Sequence, residues 1–490
     1  MKILIQCGDH YENIKRIYSL AINLKAIGHT PIIMVYKNEA EHYFISRGID
    51  AISLNIKKIP PLTKLQFKYK NENYYLGICI DHVLDCDVRK NPYIFSSTRK
   101  FNTRVNAIRY IKRVNDIIDQ VSPDIICIWN GLTGLVANSL RLISSKRDIK
   151  SYFLERGLYK DSLFIDPVGV NGFSKLSSIT QAELGCSVVS KKIELNHRKV
   201  FIPLQVQSDT NIIYNSPFLT MREFILNVYE LYSSLNIELV VRPHPEEVEK
   251  DLNLPILPGI TYTTENSVDY WIENTDATIT INSTVGLESI IKDKPTFSFG
   301  RAIYSNKKAS IDVKSGNQIV YYFKKGNYTS ISGEHLLNYI ESNHIITKDK
   351  RCNVFNSISS DAPIIKNENP RFFNYKKIQP SEYEKQKTNI LLNIKNKITN
   401  KSKIHIYTDV SHLDSLNLTY RKLNEPINVE YLQRQLRELL ERSVDKKNIT
   451  ISRTKKVSAD AINIYLSKEH KVKANDKWDV IVDKYFNVII

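Results

Sequence analysis

The sequence predicts an α/β protein built from two Rossmann-like halves. Two stretches of the chain alternate short apolar runs, typical of buried parallel strands, with segments whose apolar residues recur at helical spacing. Polar residues follow several of these runs, at the strand ends where doubly wound sheets bind ligands. Because 490 residues exceed the size of one ordinary core, we expect two domains and an appendage.

The first alternating series begins with an apolar run at residues 3–6. A helix follows, predicted by apolar residues at helical spacing, and Gly28 marks its end. A polar, Tyr-rich excursion over 56–100 interrupts the alternation. The further elements expected in this half are strands at 31–36, 51–54, 124–129 and 151–154 and helices at 39–47, 105–121 and 132–142.

The second series begins near residue 199. Its expected elements are strands at 199–204, 237–242, 277–281 and 295–299 and helices at 218–235 and 284–291. Two such halves favour a ligand held in the cleft between domains. The predicted organisation is a first domain at 1–195, a second at 196–345, a basic connecting segment at 346–400 and a small α+β appendage at 401–490. In the appendage we expect a strand at 404–408 and a Leu-rich helix at 429–440.

Composition limits the possible partners and location. A formal net charge of +17 favours an anionic partner, which leaves nucleotide sugars, acidic polysaccharides, anionic membranes and nucleic acid open. No stretch approaches the roughly 18 apolar residues of a membrane span, and no signal-peptide pattern is present, so we expect a cytoplasmic protein. Six cysteines without CxxC spacing predict reduced core thiols.

Two carboxylates are candidates for chemistry. Glu155 stands at the end of a predicted strand beside Arg156 and Gly157, where it suits proton transfer from a hydroxyl. From spacing alone, a helix cap or a surface salt bridge is the more common explanation of such a residue. Asp209 follows the strand at 199–204. It suits a nucleophile, a general base or the start of a turn.

Two further motifs suit anion binding. In the first, prolines hold Arg242 and His244 rigidly after a strand, where they offer donors to a phosphate or carboxylate. In the second, Ser283 and Thr284 join a strand to a helix, whose first backbone N–H groups suit a phosphate, although an ordinary N-cap also explains these residues. No Glu or Gln stands at capping-box spacing, so we expect those donors to remain available to a ligand. Glu288, one turn later, suits ribose hydroxyls.

Several activities are disfavoured by the motifs. Asp85-Cys86-Asp87 pairs two acids, but it lies in the polar excursion with no His or acidic cluster to complete a metal shell, so no metal site is expected. P-loop and GxGxxG patterns are absent from the sequence. Their absence disfavours an NTPase or a dinucleotide oxidoreductase.

Taken in order, these motifs resemble those of the bacterial capsule and O-antigen β-Kdo transferases over roughly residues 1–345. The motifs are Ile5-Gln6-Cys7-Gly8-Asp9-His10, Glu155-x-Gly157, Asp166-x-x-Gly169-x-Asn171, Pro203-x-Gln205-x-x-x-Asp209, Arg242-Pro243-His244-Pro245 and Asn282-Ser283-Thr284-Val285-Gly286-x-Glu288. The resemblance implies a GT-B fold, a CMP-Kdo donor, no metal cofactor and retention of anomeric configuration. By it, the last 90 or so residues are unassigned.

The resemblance also implies a role for each site residue. Glu155 would be the acid/base, Asp209 the nucleophile and His244 a donor contact. The implied donor-binding residues are Arg242, Gln205, Asn282, Ser283, Thr284, Gly286 and Glu288. The implied residues on the acceptor side of the cleft are Gly8, Asp9, Arg156, Gly157 and Asn171. The expected acceptor is a glycan or lipid-linked saccharide, with peripheral contact to the anionic inner membrane and no nucleic acid.

Two other functions stay open at this point. A CMP-sialic acid transferase shares an acidic-Gly motif and a His-Pro motif, but an inverting enzyme of that kind needs no sugar-bonded aspartate at Asp209. A non-catalytic basic module that binds polysaccharide or nucleic acid would cluster basic and aromatic residues on one face. Here the informative residues fall at strand ends instead.

Overall fold

The computed structural model describes residues 1–55, 73–90, 97–218, 220–248, 252, 254–359, 403–408, 449–452, 461–467, 480–483 and 488–489. The chain divides into two compact units. One lies within residues 1–244 and 257–373, and the other lies within residues 245–256 and 374–490. Both Rossmann-like halves belong to the first unit.

The first half alternates strands and helices as predicted. Its strands are β1 (Lys2–Gln6), β2 (Thr30–Val35), β3 (Asp50–Ser53), β4 (Tyr74–Tyr75), β5 (Ile78–Cys79), β6 (Ile125–Trp129), β7 (Lys150–Arg156) and β8 (Leu163–Asp166). Its helices are α1 (Tyr11–Ala26), α2 (Asn38–Ile45), α3 (Ile80–Lys90), α4 (Ser97–Val121), α5 (Gly134–Lys146) and α6 (Lys175–Ser178).

The second half repeats the pattern. Its strands are β9 (Val189–Lys192), β10 (Lys199–Pro203), β11 (Glu238–Arg242), β12 (Ile260–Tyr262), β13 (Ala277–Thr280), β14 (Thr296–Ser298), β15 (Ile311–Asp312) and β16 (Asn327–Ser330). Its helices are α7 (Thr210–Asn215), α8 (Met221–Val228), α9 (Glu230–Leu235), α10 (Val268–Glu273), α11 (Thr284–Ile291), α12 (Gly316–Lys325) and α13 (Gly333–His344).

Each half is organised around one sheet of Rossmann topology. In the second half the order is β12-β11-β10-β13-β14-β15, and every pair is parallel. Counted along the chain from β10, this is the order 3-2-1-4-5-6 of doubly wound dinucleotide-binding folds. The first sheet has the order β7-β6-β1-β2-β3 in its parallel part, which is the corresponding 5-4-1-2-3.

After the second half, the chain returns to the first sheet. Strand β17 (Ile345–Ile346) pairs antiparallel with β8, which in turn pairs antiparallel with β7. Helix α14 (Asn353–Asn356) follows, and Phe355 is buried in the same apolar cluster as Ile3 and Ile5. The two sheets and this return confirm the predicted GT-B-like arrangement of two Rossmann-like halves.

The first sheet buries both faces, as parallel sheets do. One face packs against α1, whose residues Ile14, Ile17 and Leu24 are buried at helical spacing. The other face packs against α4 and α5, and this second apolar cluster continues into the second half through Leu287 and Tyr304. The shared cluster joins the halves through apolar contact.

Three predicted elements differ in the structure. The polar excursion contains helix α3, because Ile80, Val83 and Leu84 form an apolar stripe that packs into the main cluster. Helix α4 begins at Ser97, earlier than predicted. The helix predicted at 218–235 is two helices, α8 and α9, which meet at Tyr229.

The C-terminal part of the chain forms a sheet of its own. Its described strands are β18 (Lys403–Thr408), β19 (Ile449–Ser452), β20 (Ala461–Ser467), β21 (Val480–Asp483) and β22 (Val488–Ile489). Their order is β19-β18-β20-β21-β22, and β22 alone pairs antiparallel. The strand predicted at 404–408 is confirmed. The helix predicted at 429–440 and most of the connecting segment lie outside the described residues.

Two composition-based expectations meet the structure directly. All six cysteines are unpaired, and five of them are buried while Cys79 is half-buried, which confirms reduced core thiols. Across the described ranges, we find no helix with the length and apolar character that crossing a membrane requires.

Candidate active site

The candidate site lies where the strand order of each sheet reverses. In the first sheet this point is between β1 and β6, and in the second sheet it is between β10 and β13. In the first sheet, Gln6 Oε1 accepts from Trp129 N at 3.2 Å, and Gln6 Nε2 donates to Tyr36 Oη at 3.1 Å. In the second sheet, Gln205 Nε2 donates to Asn282 Oδ1 at 2.8 Å and Gln205 Oε1 accepts from Asn282 N at 3.1 Å. Ligands of doubly wound sheets bind at such points.

Glu155 lies at the carboxyl end of β7, beside the reversal point of the first sheet. Its Oε2 accepts from Asn130 Nδ2 at 2.9 Å, and its Oε1 accepts from Arg156 N at 3.0 Å. The side chain keeps some exposed surface, but surrounding protein atoms desolvate the carboxylate. This burial raises the pKa of Glu155, the two hydrogen bonds oppose the rise, and the charge of Asp209 adds to it.

Asp209 caps the N-terminus of α7, a helix of the second half. Its carboxylate accepts from Asn211 N at 2.7 Å, and the residue is exposed. The next residue, Thr210, is joined to the first half because Asn130 Nδ2 lies 3.4 Å from Thr210 Oγ1. The structure therefore brings Asp209 and Glu155, which are far apart in sequence, to one junction between the two halves.

Helix α7 is held from both halves. Asn282 Nδ2 donates to Asn211 O at 3.1 Å and to Asn215 O at 3.2 Å. From the first half, Asp85 Oδ2 accepts from Tyr214 Oη at 2.8 Å. These contacts fix the helix that Asp209 begins, so the carboxylate of Asp209 stands on a rigid support.

Asp85, one of the two acids in the predicted excursion, has a structural role. Asp85 lies on α3 and also accepts from Arg89 Nε at 2.8 Å. Its carboxylate therefore joins α3 to α7 through Tyr214. The described residues contain no group of three or more His, Cys, Asp or Glu side chains arranged to hold a metal ion.

Arg242 and His244 lie at the same edge of the second sheet as Gln205. Arg242 ends β11, pairs with Pro203 of β10, and donates from Nη1 to Glu265 O at 2.9 Å. His244 follows two residues later and is half-buried. The structure thus gives two basic side chains positions near the end of β10, as the sequence predicted, and leaves their donor-binding role a prediction.

The backbone N–H groups at the start of α11 are not all available to a ligand, contrary to the expectation from the sequence. Ser283 caps the helix, because its Oγ accepts from Val285 N at 3.2 Å. The prediction that these N–H groups stay available is therefore wrong for Val285, since a serine cap needs no capping-box glutamate. Thr284, the first residue of the helix, is exposed, and so is Glu288 one turn later.

Three predicted donor-binding residues serve contacts inside the protein. Gln205 and Asn282 are 9% and 6% exposed. Their side-chain amides hydrogen-bond to each other or to the neighbouring backbone, and the Asn282 amide also donates to the backbone of α7. Gly286 gives Tyr304 room, because a Cβ there would stand 2.3 Å from Tyr304 Oη, which donates to Ser283 O at 2.7 Å. These residues shape the donor side of the site, and direct contact with a donor stays a prediction.

The predicted acceptor-side residues lie at the edge of the first sheet. Gly8 and Asp9 follow β1, and Asp9 lies 3.6 Å from Lys37 Nζ. Arg156 is exposed at the end of β7. Gly157 turns the chain into β8, with its N donating to Ser162 O at 3.0 Å, and a Cβ there would collide with Ser162 Oγ at 2.2 Å.

The Asp166 motif organises the loop that carries Asn171. The buried carboxylate of Asp166 accepts from four backbone N–H groups at 2.8 to 3.3 Å. Asn171 takes a left-handed conformation with φ 53°. Gly172 then packs against α7, where a Cβ would stand 2.4 Å from Asn215 Oδ1. The motif therefore fits the first half against the helix of Asp209.

Comparison with known proteins identifies the segment that contains the second sheet. The family described as "Capsule polysaccharide biosynthesis protein" matches residues 177–314. Residues 177–314 are thus similar to that family. This region includes Asp209, Arg242, His244 and the Asn282 motif, whereas Glu155 and Asn130 lie before it.

A curated relative matches part of the chain. Protein FixF of Sinorhizobium fredii is 24% identical over 237 residues, which cover 43% of this chain and 58% of FixF. The chain therefore spans less than two thirds of that curated relative.

The similarity of the chain to solved structures is weak. KpsC of Thermosulfurimonas dismutans, described as a beta Kdo 2,7 transferase, is 18% identical with a TM-score of 0.30, covering 45% of this chain and 81% of that chain. The glycosyltransferase SnogD from Streptomyces nogalater is 11% identical with a TM-score of 0.26, covering 70% and 94%. The strand order of the two sheets, and not this weak similarity, shows the fold.

Sequence reasoning missed Asn130, which lies outside residues 177–314. Its signal was present, since an Asn-Gly pair directly after an apolar run marks a turn with positive φ at a strand end. Asn130 and Gly131 have φ of 59° and 86°. The contact with Glu155 was not predictable, because the strands β6 and β7 are adjacent only in the folded sheet.

Proposed function

We propose that this protein is a glycosyltransferase that moves Kdo from CMP-Kdo to a saccharide acceptor with retention of configuration. The observation that carries the proposal is the meeting of Glu155 and Asp209 at the junction of two Rossmann-like halves. The similarity of residues 177–314 to the family described as "Capsule polysaccharide biosynthesis protein" supports the substrate class. The motif resemblance to β-Kdo transferases supports Kdo as the sugar.

Two carboxylates suit a double displacement. Retaining transfer needs one carboxylate to form a glycosyl ester and a second group to manage the proton of the acceptor. Asp209 is exposed on a fixed helix, which suits attack on a donor. Glu155 is desolvated and its pKa is raised, which makes its carboxylate a stronger proton acceptor.

In the first step, a carboxylate oxygen of Asp209 attacks the anomeric carbon of Kdo. The bond from this carbon to the phosphate oxygen of CMP breaks, and CMP leaves with the electron pair. The product is a Kdo ester of Asp209. Because CMP is a good leaving group, this step needs no proton from Glu155.

In the second step, Glu155 takes the proton from the acceptor hydroxyl. The hydroxyl oxygen attacks the anomeric carbon, and the ester bond breaks so that the electron pair returns to Asp209. Two inversions give net retention. Release of the proton from Glu155 to solvent restores the starting state.

The second half would bind the donor. Arg242 and His244 supply side chains for phosphate recognition, and the exposed start of α11 at Thr284 lies beyond the same sheet edge. Positive side chains stabilise a leaving phosphate. The proposal therefore includes no metal cofactor.

The acceptor is proposed to be a glycan or lipid-linked saccharide of capsule or lipopolysaccharide O-antigen synthesis. The proposed location is the cytoplasm, with peripheral contact to the anionic inner membrane. The formal charge of +17 supports attraction to an anionic surface. Nucleic acid is not among the proposed partners.

The test is intact-protein mass spectrometry of Glu155→Gln after incubation with CMP-Kdo. The first step does not need Glu155, while the second does, so the variant is expected to gain the mass of one Kdo. Peptide mapping should place the adduct on Asp209. The double variant with Asp209→Ala should gain no mass, which excludes labelling elsewhere.

Other outcomes assign other functions. Wild-type transfer from CMP-sialic acid alone, with no adduct in Glu155→Gln, would replace the proposal with a sialyltransferase. Absence of CMP release from either donor, with binding of acidic polysaccharide retained, would indicate a non-catalytic binding protein.

A further inference from the structure

Asn130 occupies a backbone conformation that few residues adopt readily. It follows β6 at the reversal point of the first sheet, has φ of 59° and is 7% exposed. Asn, Asp and Gly are the residues that tolerate this left-handed region. The side chain is therefore aimed by a backbone turn that the fold holds in place.

The orientation of the Asn130 amide is fixed by its oxygen. Asn130 Oδ1 accepts from Leu132 N at 3.2 Å and from Thr133 Oγ1 at 3.0 Å. With the oxygen held by these donors, Nδ2 must face the other way. It faces Glu155 Oε2 at 2.9 Å and Thr210 Oγ1 at 3.4 Å.

The loop that carries Asn130 is itself rigidly supported. Arg141 is buried, and its Nε donates to Gly131 O at 3.0 Å while its Nη2 donates to Asn138 Oδ1 at 3.1 Å. Asn138 Nδ2 donates to Leu132 O at 2.8 Å. Three consecutive residues of the loop, from 130 to 132, are thus hydrogen-bonded to α5 or to each other.

We propose that Asn130 is a positioning residue that holds the Glu155 carboxylate and links it, through Thr210, to the helix that Asp209 begins. The inference rests on the proposed function, since it assigns Asn130 to the acid/base of that reaction. One amide contacts groups from both halves. It therefore sets the geometry of Glu155 relative to Asp209.

A donor to a carboxylate also stabilises its ionised form. Asn130 opposes the burial and the charge of Asp209, both of which raise the pKa of Glu155. Removal of this donor is expected to raise that pKa further. A residue that only stabilises the turn would leave the titration of Glu155 unchanged.

The first experiment needs no substrate. The side-chain carboxyl groups of glutamate are labelled with ¹³C in the full-length protein, and the Glu155 resonance is assigned by its loss in Glu155→Gln. Asn130→Gly removes the amide and keeps a residue suited to positive φ. Asn236→Gly is the matched control, because Asn236 is exposed, also left-handed with φ of 53°, and distant in sequence from both carboxylates.

The expected result is that Glu155 titrates at higher pH in Asn130→Gly than in the wild type, whereas Asn236→Gly matches the wild type. Identical titration in Asn130→Gly and the wild type would overturn the proposal. If Asn130→Gly fails to fold, Asn130→Asp replaces it. Aspartate keeps an oxygen for Leu132 and Thr133 but presents a second oxygen instead of a donor to Glu155.

Transfer kinetics then separate this inference from the proposed function. With CMP-Kdo, loss of a hydrogen bond to a charged group should lower kcat by roughly tenfold or more. The apparent donor KM should fall with kcat, because the Kdo ester of Asp209 accumulates when the second step slows, and the acid limb of the pH profile should move to higher pH. A larger effect on donor KM than on kcat would count against Asn130. A wild-type protein inactive with CMP-Kdo would overturn the proposed function, while the titration still decides the role of Asn130.

Discussion

At the reversal point of each Rossmann-like sheet, a glutamine side chain accepts a hydrogen bond from the backbone of the neighbouring strand end. In the first sheet Gln6 accepts from Trp129 N, and in the second Gln205 accepts from Asn282 N. The asparagine beside each contact is used differently. Asn130 donates toward Glu155, whereas Asn282 donates to the backbone of α7.

This difference shows how two related sheets share one site. In the second half, the amides at the reversal point are consumed within the protein and fix the helix that begins with Asp209. In the first half, the corresponding amide holds a carboxylate. The first half would therefore supply acid/base chemistry, while the second would supply the nucleophile on a fixed support together with donor binding.

The largest expected effect compares a carboxylate from each half. Glu155→Gln should lower kcat by about 10² to 10⁴-fold, the range for loss of a general base, and should lower the apparent donor KM as the Kdo ester of Asp209 accumulates. Glu288→Gln should mainly raise donor KM, since Glu288 is exposed on α11 of the second half. Initial rates over a range of CMP-Kdo concentrations measure both. Equal losses of kcat in the two variants would contradict the division of roles.

The second prediction concerns the support of α7. Asn282→Ala removes the partner of Gln205 Nε2 and the donor to Asn211 O and Asn215 O. Leaving buried polar groups unpaired should reduce the free energy of unfolding by about 2 kcal/mol, seen as a lower urea midpoint. Asn317→Ala, at an exposed position on α12, is the control. A midpoint equal to that of the control would show that α7 is held by other contacts.

The last prediction compares the stability cost of adding a methyl group at one glycine from each half. Gly286→Ala would place a methyl group 2.3 Å from Tyr304 Oη, so overpacking should cost about 1 to 3 kcal/mol. Gly8→Ala meets its nearest atom, Asn13 Nδ2, at 3.8 Å, and should change stability by less than about 0.5 kcal/mol. Thermal unfolding of both variants measures the difference. Similar melting temperatures would mean that Tyr304 moves without cost.

The local sequence pattern was sufficient to position some of the site residues on strand ends. Other site residues depend on contacts with residues that are distant in sequence. Glu155 lies at the end of β7, and Asp209 follows β10 at the start of α7. Both positions agree with the sequence, because strand periodicity and the polar residues after it are local features. The ordinary N-cap formed by Ser283 was the alternative to a phosphate site in the sequence, and the local pattern did not decide between the two. Asn130 was missed because its partners come from β7 and α7.

Helix α3 illustrates the same limit in the fold. The residues at 80–90 are rich in charge, so the segment was interpreted as part of a polar excursion. Its apolar stripe becomes visible as a helix face only when the main cluster provides a surface to cover it. Tertiary packing commonly decides such weakly amphipathic segments.

The sequence by itself determined the two Rossmann-like halves, the strand ends that carry polar residues and the positions of both carboxylates in the chain. These features depend on residue periodicity over short windows, which the chain encodes directly. Only the tertiary structure decided that Glu155 and Asp209 share a junction, that Gln205 and Asn282 bond to each other, and that Asn130 contacts both halves. The physical reason is that each buried amide bonds to whichever groups the folded sheets bring within about 3 Å.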